Sequence, residues 1–138
     1  MNKIISSTEI RKNWSQYIDE AIRFHPVFFK RNRDMLVMFS SEQIEALLDQ
    51  YKFNISITRA ESGIYTGTLK EISISFSSHS MTEILNQIVS ALLDYASDYM
   101  DNSISNIKSK KEHFPYILKI LNCINNNQNI KDLLVLSD

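Results

Sequence analysis

Residues 5–22 read ISSTEIRKNWSQYIDEAI, and the spacing of the apolar members decides what the N-terminal part of the chain is. Ile10, Trp14, Tyr17, Ile18, Ala21 and Ile22 recur at helical intervals on one face, so the segment predicts an amphipathic helix. Ser6, with Glu9 three residues later, has the form of a capping box, which satisfies amide donors that the first helical turn leaves open. Arg11, Lys12 and Asn13 fall off the apolar face and must point at water or at a partner. The helix is expected to run to about Phe24, because His25 precedes Pro26 and a residue before proline is pushed out of helical torsions.

The pattern extends in both directions. KIISS, residues 3–7, reads as a short strand; VFF at 27–29 and MLVMF at 35–39 read as two more, joined by the polar turn KRNRD, where Asn32 suits left-handed torsions. SSEQIEALLDQY, from residue 40, opens with a second capping box, Ser40 with Gln43, and carries a stripe of Ile44, Leu47, Leu48 and Tyr51. After Phe53 the period changes to two: Phe53, Ile55 and Ile57, then Ile72, Ile74 and Phe76, flank a turn at Ser62-Gly63 and predict a hairpin with one covered face. Ser80 with Glu83 opens a long helix of about five turns, residues 101–113 read as a solvated connection, and Pro115 sits near the first turn of another helix. IKDLLVL, at 130–136, is expected to be a last short helical piece. The predicted class is α+β: a β-α-β-β-α domain over residues 1–52, followed by a β-hairpin plus helices over 53–138.

Composition narrows the function classes. The chain has 138 residues, 43% hydrophobic and 22% charged, enough for one domain or two very small ones. No apolar run approaches the ~20 residues of a membrane helix, and residues 1–14 lack the features of a signal peptide, so no membrane association is expected. The single Cys123 excludes an internal disulfide and suits a cytoplasmic protein; among Ile120, Leu121 and Ile124 it reads as buried filler. His25, His79 and His113 have no metal-ligand spacing, two glycines leave no phosphate-cradling loop, and no nucleophile motif is present. No metal, cofactor or catalytic residue is therefore expected, and a nuclease centred on His79 and Glu83 has no support in the spacing. Trp14, Phe28, Phe29 and Phe39 read as core rather than as a base-stacking surface, and the lysines of 108–111 as a solvated loop.

Charge is unevenly divided. Up to Arg33 seven basic residues face three acidic ones, net +4, which leaves −5 for the rest of a chain whose total is −1. Arg11 and Lys12, placed in the first turns of the helix, and Lys30, Arg31 and Arg33, placed at the strand turn, are the groups able to converge on phosphates.

These same residues carry a resemblance. ISSTEIRKNWSQYIDEAI followed by VFFKRNRDMLVMFSSEQIEALLD resembles the N-terminal domain of Phd/YefM-type antitoxins of type II toxin-antitoxin systems, over residues 1 to about 52. The family's turn carries a glycine where this chain has Asn32 or Asp34. The resemblance implies a dimer that binds the operator of its own operon and represses it. Ser7, Thr8, Arg11 and Lys12 correspond to the DNA-facing segment, with Lys30, Arg31 and Arg33 at the basic turn. The second half is similar to HicB-like modules in its hairpin and Ser-x-x-Glu helix start, without their proline-containing second strand. KEHFPYILKIL resembles the tail of RelE-neutralising antitoxins. A cognate RelE/ParE-type toxin is the implied partner, and Tyr95, Tyr99, Phe114, Tyr116 and Leu118 are the expected toxin-binding residues. The competing expectation is a protein-binding adaptor with no specific DNA site.

Overall fold

The computed structural model describes residues 4–137. Lys3, at the start of the predicted first strand, lies outside them. The architecture is α+β, as expected, with a three-stranded sheet and a four-stranded sheet. The chain divides into two compact units between Leu47 and Leu48.

In the first unit, β1 (Ile5–Ser6) leads directly into α1 (Ser7–Lys12). The Ser6 hydroxyl accepts the Glu9 N–H at 3.1 Å, as the capping pattern predicts. The predicted single helix is instead two. Asn13 leaves helical torsions (φ −122°, ψ 41°) and α2 restarts at Trp14–Arg23. The Asn13 side chain donates to Glu9 Oε1 at 2.8 Å while its backbone N–H still reaches the Glu9 carbonyl at 3.1 Å, so the interruption is confined to the torsions of one residue. β2 (Val27–Arg31) and β3 (Asp34–Met38) form an antiparallel hairpin whose turn residue Asn32 has φ +54°. β1 joins β2 in parallel, pairing Ile5 with Phe29 and Ser6 with Lys30. α3 (Ser41–Leu48) starts with both halves of its capping box made: Gln43 N–H donates to Ser40 Oγ and Ser40 N–H to Gln43 Oε1. The Gln43 amide also donates to the Ala21 carbonyl, which ties α3 to α2.

The buried centre of this unit is small: Ile10, Ala21 and Val27, with Ile5, Tyr17, Phe29 and Met38 packed around them. The core expected for Trp14, Phe28 and Phe39 is not found. Trp14 is 52% exposed, and Phe28 and Phe39 are exposed as well. The reason is geometric. One short sheet covered by two short helices has too little interior for apolar residues on both sheet faces and all round α2.

The second unit is built on a sheet of order β6-β5-β4-β7. After β4 (Phe53–Arg59) the chain turns at Gly63, φ +88°, as predicted, but the hairpin partner is β5 (Tyr65–Leu69); Ile74 and Phe76, expected on the second strand, lie on a third, β6 (Ile74–Ser78), and Ile72 lies in the 3₁₀ turn before it. α4 (Met81–Asp101), capped by Ser80, lays Ile84, Ile88 and Leu92 on the sheet. Gly67 allows this approach, since a Cβ there would lie 2.5 Å from Ile84 Cγ2. Phe53, Ile55, Leu69, Ile117, Ile120 and Cys123 complete a continuous core. Cys123 is therefore the filler expected, and burial pushes its thiol pKa up.

Two C-terminal expectations change. The predicted loop of 101–113 contains α5 (Ser103–Ser109), a helix with no buried residue and so no apolar period for the sequence to display. The predicted last helix is a 3₁₀ turn, Ile130–Leu133, followed by β7 (Leu134–Leu136), which pairs in parallel with Phe53–Ile55. α6 (Phe114–Asn125) forms as expected, with Pro115 in its first turn.

Candidate functional site

In the first unit, the parallel pairing of Ser6 with Lys30 sets the start of α1 beside the hairpin tip. Ser6, Ser7, Thr8, Lys30 and Asn32, with Ile4 and Ile5, line one shallow recess of about 480 Å³. Three of the predicted DNA-facing residues, Ser7, Thr8 and Lys30, are thus brought together from two separate segments. Arg31 and Arg33 are exposed on the strand end and turn adjoining Lys30.

Arg11 and Lys12 are also exposed, but their expected position in the first turns of a long helix is corrected. The break at Asn13 makes α1 six residues long and puts both in its last turn. The last turn of a helix presents carbonyls rather than free amide donors, so this placement withdraws the amide contribution expected for an anion there. Beneath them, the Glu9 carboxylate holds Asn13 and the Tyr17 hydroxyl. The Tyr17 pKa is raised by desolvation first, then by the Glu9 and Glu20 carboxylates.

In the second unit, three of the residues expected to bind the toxin, Tyr95, Tyr99 and Phe114, come together where α4 meets α6, while Tyr116 packs on Tyr51 and Phe53 and Leu118 is not drawn into either group. Tyr95, Phe114, Tyr116 and Leu118 are half-buried. Tyr99 is only 2% exposed; its ring is core and its hydroxyl donates to the Lys110 carbonyl at 3.1 Å. The Tyr95 hydroxyl is hydrogen-bonded to His113 Nδ1, and the two rings meet edge to face. Burial is the main cause of raised hydroxyl pKa values at Tyr95, Tyr99 and Tyr116.

Beside this cluster is a recess of about 570 Å³ lined by Tyr51, Glu71, Lys111, Glu112, His113, Pro115 and Tyr116. Glu71 and Glu112 were not singled out by the sequence, and Tyr51 was read only as part of an apolar stripe, not as a site residue. Glu71 lies 17 residues from its partner Asn54, and nothing local marks it. Tyr51 is drawn here by Lys119 of α6, whose ammonium donates to the carbonyls of Leu48 and Tyr51. Burial, then the nearby Lys52, lowers the Lys119 pKa. These bonds hold residues 48–52 to the second unit.

Among the described residues no group of histidine, cysteine and carboxylate side chains has the arrangement of a metal site, and no helix is long and apolar enough to cross a membrane.

No curated protein sequence matches the chain significantly. A family model described as the PHD-like antitoxin of RelE/RelB toxin-antitoxin systems matches residues 1–135. Among solved structures, the chain is similar to one from Syntrophomonas wolfei subsp. wolfei, described as the antitoxin part of a proposed toxin/antitoxin system. That structure has 36% identity, 98% of both chains covered, and a TM-score of 0.82. With the match spanning both units, the chain belongs to the PHD-like family of antitoxins, non-enzymatic regulators whose partner is a cognate toxin.

Proposed function

We propose that this antitoxin is a cytoplasmic protein of Phd/YefM type that also represses its own operon, binding operator DNA as a dimer through its first unit. The observation that carries the reading is the convergence of Ser7, Thr8 and Lys30 on one recess, with Arg31 and Arg33 exposed on the adjoining strand end and turn and Arg11 and Lys12 exposed in the last turn of α1. Hydroxyls and lysines of this kind fix a protein on phosphates, and an arginine with its forked donors reads guanine edges. Dimerisation is supported by the apolar surface the unit leaves uncovered, including Phe28, Met35 and Val37 on one sheet face and Trp14, Ile22 and Phe24 on and just after α2. A twofold protein implies a palindromic operator with half-sites roughly 10 base pairs apart.

The second unit takes the toxin, an mRNA-cleaving protein of RelE/ParE type, with Tyr95, Phe114, Tyr116 and Leu118 near the contact. Its hairpin around Gly63 and its Ser80–Glu83 helix start support a HicB-like origin for this half.

The test is a salt-dependent mobility shift on DNA from upstream of the coding sequence, with unrelated DNA as competitor. Arg11→Ala is expected to weaken operator binding by about 1–3 kcal/mol and to flatten the preference over competitor DNA. Lys30→Ala is expected to weaken binding to all sequences and to lower the salt slope by about one. Equal binding of operator and competitor by the wild-type protein would leave the adaptor as the better account of the first unit.

A further inference from the structure

Half of the Glu71 carboxylate has no hydrogen-bond partner. Glu71 Oε1 accepts from the main-chain N–H and the side-chain amide of Asn54, at 3.1 and 2.8 Å, which fixes the carboxylate in place. Oε2 is withdrawn from water and has no partner among the described residues. A buried acceptor in that condition is costly unless a donor comes to it.

The surroundings specify the donor. The Tyr51 and Tyr116 rings meet edge to face at 5.4 Å, and Tyr116 is braced in turn on Phe53 at 5.3 Å. Aromatic rings and a carboxylate therefore share one recess, with Glu112 adding a second negative charge to its lining. The Tyr116 hydroxyl pKa is raised by burial and then by the charge on Glu71, which places an uncompensated negative field at the ring. Lys111 also lines the recess, yet makes no ion pair with Glu71 or Glu112 among the described residues. A cation is the matching ligand. A guanidinium suits the recess better than an ammonium, because its flat face stacks on tyrosine while its edge donates to a carboxylate.

We propose that this recess is an anchor pocket for an arginine side chain of the toxin, received between Tyr51 and Tyr116 and hydrogen-bonded by Glu71 Oε2. The proposal rests on the toxin-binding reading of the second unit. Its occupant is a protein side chain because an antitoxin's partner is a protein, and residues 48–138 carry eight basic against ten acidic residues, a net charge that attracts a basic one. Tyr51 and Tyr116 meet each other edge to face, so an arginine received between them must part the two half-buried rings, which makes them reporters of its arrival.

The first experiment uses the full chain and a small probe, Nα-acetyl-arginine amide, followed by NMR, with Nα-acetyl-citrulline amide as the uncharged isostere. Saturable shifts at Tyr51, Tyr116 and the Asn54 side-chain amide are expected with the arginine probe. The citrulline probe should bind at least tenfold more weakly, and Glu71→Gln, whose amide oxygen can still accept from Asn54, should abolish the response. No saturable response, equal response to citrulline, or an unchanged response in the variant would overturn the pocket. In the second experiment, Glu71→Gln is expected to weaken binding of the purified cognate toxin at least tenfold. Unchanged toxin affinity would overturn the occupant. Failure of the wild-type chain to bind toxin at all would instead strike the toxin-binding reading, a result the probe experiment does not depend on.

Discussion

Single residues in this protein are explained by what they satisfy. Ser6, Ser40 and Ser80 each close the N-terminus of a helix, and each was legible because a cap is written within four consecutive residues. Asn32 was legible for the same reason, its left-handed torsions being demanded by the turn it occupies. Tyr116 shows the opposite case, since its environment comes from Glu71, Tyr51 and Phe53, all distant in sequence. Its hydroxyl pKa is held above the ordinary value of 10.0 by burial, then by Glu71 and Tyr51. A phenol whose folded pKa is raised contributes stability that is fully present below its unfolded pKa and is lost as pH rises through the folded one. The wild-type protein is therefore expected to lose stability above about pH 10 more steeply than Tyr116→Phe. Urea midpoints measured at pH 8 and at increasing alkaline pH would show it, and parallel losses in the two proteins would contradict the account.

At the scale of elements, what separates the legible from the illegible is whether an element's reason lies within it. α4 was legible because its own period supplies its buried face. α5 was not, because nothing on it is buried, and β7 was not, because its strand conformation follows from a parallel partner at Phe53–Ile55, some eighty residues earlier. The break between α1 and α2 was not legible either, since it is confined to the torsions of Asn13, whose backbone N–H still bonds to the Glu9 carbonyl. α4 closes on β5 at Gly67 with no room for a Cβ. Gly67→Ala would drive a methyl group to within 2.5 Å of Ile84, a fully buried β-branched side chain with nowhere to retreat. Overpacking there is expected to destabilise the second unit by about 1–3 kcal/mol, read as a lower urea midpoint with an unchanged m-value.

At the scale of the whole molecule, two units of unequal self-sufficiency share the chain. The second has a continuous core running from Phe53 to Ile130, whereas the first buries only Ile10, Ala21 and Val27. A fragment of residues 48–138 is expected to unfold cooperatively by itself and at a midpoint independent of concentration. If the first unit dimerises as proposed, a fragment of residues 1–47, whose buried centre is small, is expected to gain stability as its concentration rises. Melting curves over a hundredfold concentration range distinguish the two behaviours; a concentration-independent melt of the short fragment would refute the dimer. The chain's single tryptophan, Trp14, stands half out in water on the first unit, while five of the six tyrosines lie in the second. The molecule is thereby optically partitioned. Excitation at the red edge reports the first unit alone, and a blue shift of its emission on assembly would show Trp14 leaving water.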